Sequence, residues 1–496
     1  MLIWFVALYL LGSIAIGLFV AFTRVHNAKD FAVAGRTLPL PVVTATVFAT
    51  WFGAEAIFGV SATFVNEGLH GVVADPFGAS LCLVIAGIFY GTKIYKLNVL
   101  TLGDFFRMRY NRVVEILTTL CIVVSYLGWV SAQIKALGLV FWVVTDGAIS
   151  QEAGMVLGTA IVLTYTTFGG MFSVAILDFV QMSVVIGGLL FIGYLVSGMT
   201  GGVGAVVAQA SAAGKLDFFP KGDWVAWLSF IAAWMTMMLG SIPQQDVFQR
   251  ITSAKSARVA IMASILGGTI YFCFTFVPMF IAYAATLIDP AKFGGMIESD
   301  ASQLVLPTLV MQHTPFFAQA IFFGAVLAAI MACSSATLLA PSVSFSENIL
   351  RNLMPDVDDR RLLRMMRVTM VCFAGVVLTF ALTTSASIFE MVENAYKITL
   401  AGAFVPLFFG AYWSRATTQG ALAAIIGGVG TWLVVEFLFG EESLVPPQLI
   451  GLGVSIIGMV AGSLLPQRIG LQPPPDDFYQ ALHHRAAADA APPPQH

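Results

Sequence analysis

Apolar segments long enough to cross a lipid bilayer recur along almost the whole chain. A membrane helix needs about 20 apolar residues. Hydropathy and the polar stretches between apolar runs separate thirteen such segments. The 496 residues are 58% hydrophobic and only 10% charged, which excludes a soluble globular protein. The pattern predicts an all-α, polytopic membrane protein with about thirteen transmembrane helices, near residues 2–22, 38–66, 72–91, 113–145, 151–170, 171–197, 223–240, 259–287, 314–344, 366–384, 387–412, 418–438 and 445–465.

The placement of lysine and arginine predicts the orientation. If the N-terminus is outside, nineteen of the 24 basic residues lie on the inside, three lie outside and two lie within spans. Positive charge marks the cytoplasmic side of a membrane protein. We therefore expect the plasma (inner) membrane, a transmembrane domain over residues 1–465, and a cytoplasmic tail over 466–496 that is disordered because it is rich in proline and alanine.

The second apolar run carries a carboxylate between two glycines. As one helix, the 28 residues from Leu38 to Val65 would measure about 42 Å, whereas the hydrocarbon core is about 30 Å thick. We expect the helix to unwind between Gly53 and Gly59 and to offer backbone groups to an ion or solute. Glu55 is a candidate site residue because a buried membrane charge is costly, and a structural pairing with a polar neighbour is the alternative.

A second interruption is predicted five spans later, where Gly240 and Pro243 lie near one membrane face. Broken helices at corresponding positions of two halves are typical of transporters with an inverted repeat. Spans two to six and seven to eleven would form the halves.

Two further ionisable residues stand within or at the start of spans. Asp75 precedes a proline, so it is either a helix N-cap or a binding group. Lys135 lies about ten residues from the end of its span, and we expect an internal carboxylate partner, either Glu55 or Asp75.

Three more charges call for partners or ligands. Glu393 and Lys397 are four residues apart, so they form an intrahelical ion pair, line a cavity, or do both. Asp178 lies about two turns from the cytoplasmic end of its span, where it could receive a cation or pair with Gln181 or a hydroxyl.

Other classes of function lack support in the sequence. The five cysteines lie in apolar runs without metal-ligand spacing, and no nucleophile–base arrangement or basic stripe is visible. We expect no enzyme activity, no cofactor and no nucleic-acid partner.

Three motifs resemble those of the sodium:solute symporter family. They are a Gly-Gly…Asp…Gln pattern over residues 169–181, a Gln-Arg…Ala-Lys-Ser loop over 249–256 and a run of small residues over 324–331. The resemblance covers about residues 1–465. It implies an inverted five-helix repeat with one span before it and two after, and cation-coupled symport of a small organic solute by alternating access.

The resemblance also implies a sodium ion between the first broken helix and the ninth span. Its ligands would lie at Ala49 and Phe52 and at Ala329, Ala332 and Cys333. Members that use this site usually carry two hydroxyl residues at the last two positions. A methyl group and a thiol provide no oxygen for a hard cation.

Three explanations of this departure stay open. Ser334 and Ser335, with Thr337, could provide oxygens from a shifted register together with Asp178, which resembles an additional inner sodium ligand. Protons could replace sodium, with Glu55 or Asp178 as the carrier. Coupling could also be lost, which would leave a facilitator or a non-transporting sensor.

The solute is predicted from a few side chains. Trp51 and Trp129 resemble aromatic positions of the choline carriers, where rings surround a quaternary ammonium, and the third tryptophan of that cage is Gln244 here. Met237 stands where the sugar carriers use an asparagine, so we expect an amine or an amino-acid-like solute. The alternative is a monocarboxylate held by Lys135. The candidate solute contacts are Trp51, Glu55, Asp75, Trp129, Lys135, Gln244 and Glu393, and the candidate ion contacts are Ala49, Phe52, Asp178, Ala329, Cys333, Ser334 and Ser335.

Overall fold

The computed structural model describes residues 2–299, 301–354, 357–440 and 443–469. The predicted tail lies outside these ranges from residue 470 onward. The described residues are helical between short connections, with an isolated β-bridge between Leu38 and Ala254. The all-α prediction is confirmed.

Helices of membrane length and apolar composition make up most of the chain. Ten stand alone, and two more spans are helix pairs bent at a short break. In chain order the helices are α1 (Leu2–Arg24), α2 (Leu40–Trp51), α3 (Glu55–Glu67), α4 (Val73–Leu97), α5 (Arg112–Val144), α6 (Gln151–Met199), α7 (Val203–Ala212), α8 (Trp224–Gly240), α9 (Gln245–Ser253), α10 (Ala257–Ile288), α11 (Phe316–Leu353), α12 (Asp359–Thr383), α13 (Ile388–Tyr412), α14 (Thr418–Leu438) and α15 (Pro447–Leu464). Shorter helices in the connections are Ala28–Val33, Leu102–Arg109, Pro290–Glu298 and Val305–His313.

The predicted count of thirteen spans differs from the ten to twelve that length and composition give. The difference lies in α6, whose 49 residues would measure about 74 Å as a single helix, far more than one crossing needs. Its backbone breaks at Gly170, where φ is 50° and ψ is −149°. A Cβ atom there would lie 2.4 Å from the Phe31 carbonyl oxygen, so a glycine is required. The count of thirteen stays a prediction.

The first predicted interruption is confirmed. α2 ends at Trp51 and α3 begins at Glu55, with a bend of 56° between them. Gly53 lies in the break because two side chains crowd it: a Cβ atom would lie 2.5 Å from Gln133 Oε1 and 2.7 Å from Cys333 Cβ. The break therefore packs directly against α5 and α11.

The second predicted interruption is also confirmed. α8 ends at Gly240 and α9 begins at Gln245, with a bend of 43°. A Cβ atom on Gly240 would lie 2.6 Å from the Tyr396 carbonyl oxygen, so the end of α8 approaches the backbone of α13 closely. The first break thus packs against α5 and α11, and the second against α13.

The helices differ in how deeply they are buried. The most apolar windows of α4, α11 and α13 are 67% buried, whereas those of α1 and α14 are 33% and 22% buried. Helices α4, α11 and α13 therefore lie at the centre of the bundle, and α1 and α14 lie at its edge.

Candidate functional site

Aromatic rings converge beside the first break. The ring centroids of Trp51 and Trp129 lie 5.3 Å apart, and Tyr396 lies 6.3 Å from Trp51 and 5.7 Å from Trp129. The planes of Trp51 and Tyr396 are nearly parallel, at 5°. All three side chains are buried. We call Trp51, Trp129 and Tyr396 the aromatic cage; it joins the end of α2, the middle of α5 and the interruption of α13.

A buried carboxylate completes the cage. Trp51 Nε1 donates to Asp246 Oδ2 at 3.1 Å, and the Tyr126 hydroxyl donates to Asp246 Oδ1. The Asp246 backbone N–H in turn donates to the Tyr126 hydroxyl oxygen at 2.9 Å. Asp246 is fully buried. The sequence prediction missed this residue, although an acidic side chain directly after a predicted break was the available signal.

Gln244 lies beside the cage and bonds to its neighbours. Its Nε2 donates to Ser125 Oγ at 2.8 Å and to Thr399 Oγ1 at 3.4 Å. Thr399 donates to the Gly240 carbonyl at 2.7 Å. Gln244 therefore fixes the start of α9 against α5 and α13, and its contact with a solute stays a prediction.

Two polar atoms of the cage region are buried without a hydrogen-bond partner among the described residues. They are Trp129 Nε1 and the Tyr396 hydroxyl. Buried polar atoms are rarely left unpaired. These atoms are therefore available to the polar part of a bound solute.

Glu55 and Asp75 lie near the cage but have different environments. Glu55 is 4% exposed, and its Oε1 has no hydrogen-bond partner among the described residues. The two carboxylate oxygens of Asp75 accept from the Tyr271 hydroxyl at 2.6 and 2.7 Å. Asp75 has the extended backbone of an N-cap, with φ and ψ of −136° and 121°, but its carboxylate bonds to Tyr271 of α10 and to no backbone amide among the described residues, so the capping bond of that alternative is missing.

The break in α2 releases backbone carbonyl groups. The Gly53 N–H bonds to the Trp51 carbonyl at 3.1 Å, and the Ala54 N–H bonds to Gln133 Oε1 at 2.8 Å. In a continuous helix these two amides would bond to the carbonyls of Ala49 and Thr50. The Ala49 carbonyl, a predicted ion ligand, is thus free of the helical ladder.

Phe52 contributes to the same opening. Its φ and ψ of −85° and 77° lie outside the helical region, so its carbonyl turns away from the helix axis. Its ring is fully buried and stacks on Phe48 with a centroid distance of 5.0 Å. The Phe52 backbone at the predicted ion position therefore lies outside the helical ladder, while the side chain is fixed.

Asp178 is a buried carboxylate with one free oxygen. The Thr46 hydroxyl of α2 donates to Oδ2, and Oδ1 has no partner among the described residues. This contact confirms the predicted alternative of pairing with a hydroxyl, whereas Gln181 makes no bond to it. Both amide atoms of Gln181 are buried and unpaired in the described part of the chain.

The α11 residues at the predicted ion position are all buried. Ala329, Ala332 and Cys333 provide no oxygen side chain, and Cys333 packs against Gly53. The Ser334 hydroxyl donates to the Ile330 carbonyl at 2.6 Å and Ser335 to the Ala332 carbonyl at 2.9 Å. Their oxygen lone pairs stay available to a cation, but within the described residues neither serine bonds to Asp178.

A large polar cavity opens on the face that carries the connection of residues 200–223. Its volume is about 1330 Å³, and Gly59, Glu67, Lys135 and Glu393 line it. Gly59 lies one turn beyond Glu55, so the cavity ends next to the broken helix. The cavity-lining role predicted for Glu393 agrees with this position.

The predicted partners of Lys135 are wrong. Its Nζ donates to the Ala386 carbonyl at 2.6 Å, and among the described residues no carboxylate oxygen lies within 4.0 Å of it. Lys135 lines the cavity. The expected pairing with Glu55 or Asp75 assumed a deeper side chain.

The predicted ion pair of Glu393 and Lys397 is also wrong. The helix is interrupted by a turn at Tyr396, between the two residues, so the four-residue spacing does not place them as it would on a continuous helix. Lys397 Nζ instead lies 3.9 Å from Glu436 Oε1 of α14.

Within the described residues, no group of three or more His, Cys, Asp or Glu side chains could hold a metal ion.

The chain matches known transporters over most of its length. The model of the sodium:solute symporter family matches residues 31–428. The high-affinity choline transporter 1 of Caenorhabditis elegans is 27% identical over 432 residues, 83% of this chain and 71% of that protein. The sodium/proline symporter of Escherichia coli is 28% identical over 480 residues, 92% of this chain and 91% of that protein.

Solved structures share the fold. The substrate-bound, outward-open state of a Na+-coupled sialic acid symporter covers 93% of this chain and 97% of its own, with a TM-score of 0.79 and 17% identity. Mhp1, a nucleobase-cation-symport-1 family transporter, gives a TM-score of 0.58 at 15% identity and covers 87% and 94%. Because the family model covers far more than half of the residues and these relatives are transporters rather than enzymes, the chain belongs to the sodium:solute symporter family.

Proposed function

We propose that this symporter carries a small organic cation, with a quaternary or protonated amine, and that sodium is the coupling ion. The observation that carries the proposal is the aromatic cage with the Asp246 carboxylate at its edge. Aromatic faces attract a cation within about 6 Å of the ring centroid. A buried carboxylate adds an attraction that no neutral solute would use.

The charges around the cage favour a cation over an acid. Asp246, Glu55 and Asp75 are all buried carboxylates in this part of the bundle. Lys135, the cation that a monocarboxylate would require, bonds to the Ala386 carbonyl and lines the cavity instead. The choline transporters among the relatives support the same solute class.

The cage is closed in this structure. Its centroids lie 5.3–6.3 Å apart, so the rings contact one another and must part to admit an ammonium group. The unpaired Tyr396 hydroxyl and Trp129 Nε1 could then bond to a hydroxyl of the solute. With the basic residues inside, the cavity of about 1330 Å³ faces the outside and forms the entry route.

Sodium binding is proposed at the break of α2. The free Ala49 carbonyl and the unpaired Asp178 Oδ1 are oxygen ligands, which a hard cation prefers. Ala332 and Cys333 lack a hydroxyl group, and Ser334 and Ser335 follow them directly in the sequence. A proton carried by Asp178 or Glu55 is the competing interpretation, and a pH dependence without a sodium dependence would favour it.

Ligand-dependent thermal stability of the purified protein tests the proposal. A ligand that binds only the folded state raises stability by mass action. We expect choline, used as the quaternary probe, to raise the melting temperature more in sodium than in potassium. Stabilisation by proline or by a monocarboxylate alone would contradict the solute class, and binding without transport in vesicles would favour a sensor.

A matched pair of tryptophan variants locates the binding. Trp129→Leu removes a cage ring and should weaken choline binding about 2- to 30-fold, from about 0.5–2 kcal/mol per ring. Trp227→Leu removes a tryptophan that is 40% exposed and should leave binding unchanged. Equal effects of the two substitutions would place the solute elsewhere.

A second candidate solute is an amino acid such as proline. The observation in its favour is the match to the Escherichia coli sodium/proline symporter, which spans 92% of this chain. An amino acid brings a carboxylate that would face the buried acids of the cage. Competition between labelled choline and unlabelled proline for the same site distinguishes the two.

A further inference from the structure

An apolar pocket opens on the membrane-facing side of α6, α7 and α10. Its volume is about 480 Å³, within the range of roughly 300–1,000 Å³ for small-molecule sites. Each helix contributes residues spaced three, four and seven apart, as one helical face does. The α7 face, for example, consists of Val203, Val206, Val207 and Ala210.

The pocket has a buried floor and an open side. Met279 and Val206 at the floor are each 2% exposed, whereas Leu190 and Tyr194 at the opening are 51% and 77% exposed. The lining carries no charged side chain. Such a surface is suited to hydrocarbon and not to water or to a charged solute.

The surroundings place the opening in the bilayer. Trp224 and Trp227, which follow the pocket in sequence, are 58% and 40% exposed. Exposed tryptophans mark the interface between membrane and water. α7 is too short to span the membrane, since it has ten residues. The helix therefore lies at the same interface, above the acyl chains.

We propose that this pocket binds one acyl chain of a phospholipid from the leaflet on this face. In a bilayer, the open side of the pocket faces lipid hydrocarbon. An empty apolar pocket would lose packing contacts that an acyl chain can provide. The proposal does not depend on the identity of the transported solute.

The bound chain would support the rim of the polar cavity. Leu216 lines the apolar pocket, whereas Asp217 of the same segment lines the polar cavity. The segment is tied to the end of α3: the Leu69 N–H donates to the Lys215 carbonyl at 2.8 Å, and Lys215 Nζ donates to the Asn66 carbonyl at 2.7 Å. A lipid chain thus packs beneath the segment of residues 213–222 and holds it over the cavity.

Photolabelling tests the site. The protein is reconstituted in vesicles of phosphatidylcholine with a diazirine in the middle of one acyl chain, and labelled residues are mapped by mass spectrometry. We expect labels to concentrate in residues 190–197, 203–216 and 276–283. Even labelling of all lipid-facing helices, such as α1 and α14, would overturn the proposal, and so would loss of labelling on adding excess sterol.

Two glycine variants of α6 provide the comparison. A Cβ atom on Gly193 would lie 3.7 Å from Val277 Cγ1, an ordinary contact, so the branch point of Gly193→Leu is tolerated and we expect its side chain to occupy the pocket that Gly193 lines. Gly187 has no atom within 4 Å of its Cβ position, and Gly187→Leu serves as the control. We expect Gly193→Leu to lower labelling at least fivefold and Gly187→Leu to leave it unchanged; equal labelling of both would overturn the proposal.

Amide hydrogen exchange tests the support of the rim. Removing lipid with detergent should speed exchange in residues 213–222 of the unmodified protein at least threefold. The Gly193→Leu protein should show no such dependence, because its own side chain fills the pocket. Exchange that ignores lipid in both proteins would contradict the role of the acyl chain.

Discussion

Asp246 places a negative charge at the closed aromatic cage. The carboxylate is satisfied in the closed state, because Trp51 and Tyr126 both donate to it. When the rings part, one of these bonds must lengthen, and an ammonium group can replace it. A bound cation therefore compensates Asp246 for the lost hydrogen bond, whereas a neutral solute would leave that loss uncompensated.

The variant Asp246→Asn tests this charge. It keeps the shape and one acceptor oxygen, so the fold should survive, but choline binding should weaken about tenfold to hundredfold, from about 1.5–3 kcal/mol for a bond to a charged group. Equilibrium binding of labelled choline measures the change. Asp146→Asn, at an exposed residue with φ of 52° that asparagine tolerates, is the control; equal binding by Asp246→Asn and this control would remove Asp246 from the site.

Cys333 offers a test of the ion position. Cys333→Ser supplies a hydroxyl oxygen at the predicted ion position, so sodium should bind about three- to tenfold more tightly if the ion lies there. The sodium concentration that half-maximally stabilises the protein measures the effect. Cys121→Ser, which alters a buried cysteine of α5 outside the proposed site, should leave that concentration unchanged. An unchanged value in Cys333→Ser would move the ion toward Asp178.

At the scale of elements, the break between α2 and α3 governs both proposed sites. It frees the Ala49 carbonyl, brings Trp51 to the cage and is followed directly by the buried Glu55. Gln133 of α5 fixes the break by accepting from the Ala54 N–H. An ion and a solute bound here would share one element, which provides a physical basis for coupling them.

Gly53→Ala should damage this element. The added Cβ atom would lie 2.5 Å from Gln133 Oε1, so Gln133 must release Ala54 or the break must widen. We expect a lower melting temperature and at least a tenfold lower transport rate in vesicles. Gly12→Ala of α1 has no atom within 4 Å of its Cβ position and should keep the normal rate. Wild-type transport by Gly53→Ala would show that the crowding does not matter.

The elements also show what the sequence could predict. Both breaks were predicted: the first because glycines flank Glu55 in a run too long for one straight helix, and the second because a glycine and a proline leave a local backbone signal near one membrane face. The partners of Lys135 and Lys397 were not, because Lys135 bonds to a carbonyl in the distant connection between α12 and α13, and Lys397 follows an interruption at Tyr396. Tertiary packing determines these partners, and the spacing of residues along the chain does not reveal that packing.

The cage shows the same division. Trp51 and Trp129 were recognised by resemblance, whereas Asp246 and Tyr396 were missed because 195 residues separate Trp51 from Asp246. The bend between α8 and α9 brings Asp246 to the ring, and only the fold reveals that contact. The sequence therefore predicted two rings of the aromatic cage and missed its third ring and the carboxylate beside it.

At the scale of the whole molecule, the structure separates an open cavity from a closed cage. The cavity of about 1330 Å³ ends near Gly59, and the cage beyond it is buried on every side. A symporter that works by alternating access needs a state in which the solute site is closed to at least one side of the membrane. Movement of the broken helices would connect the two.

Uptake of labelled choline into vesicles with an imposed sodium gradient tests whether the protein couples an organic cation to sodium. Accumulation should require the sodium gradient, stop when potassium replaces sodium, and fall at least tenfold in Asp246→Asn. Excess proline should leave it unchanged. Uptake that is driven equally by potassium or by a pH gradient, or that accepts proline and not choline, would contradict sodium-coupled transport of an organic cation.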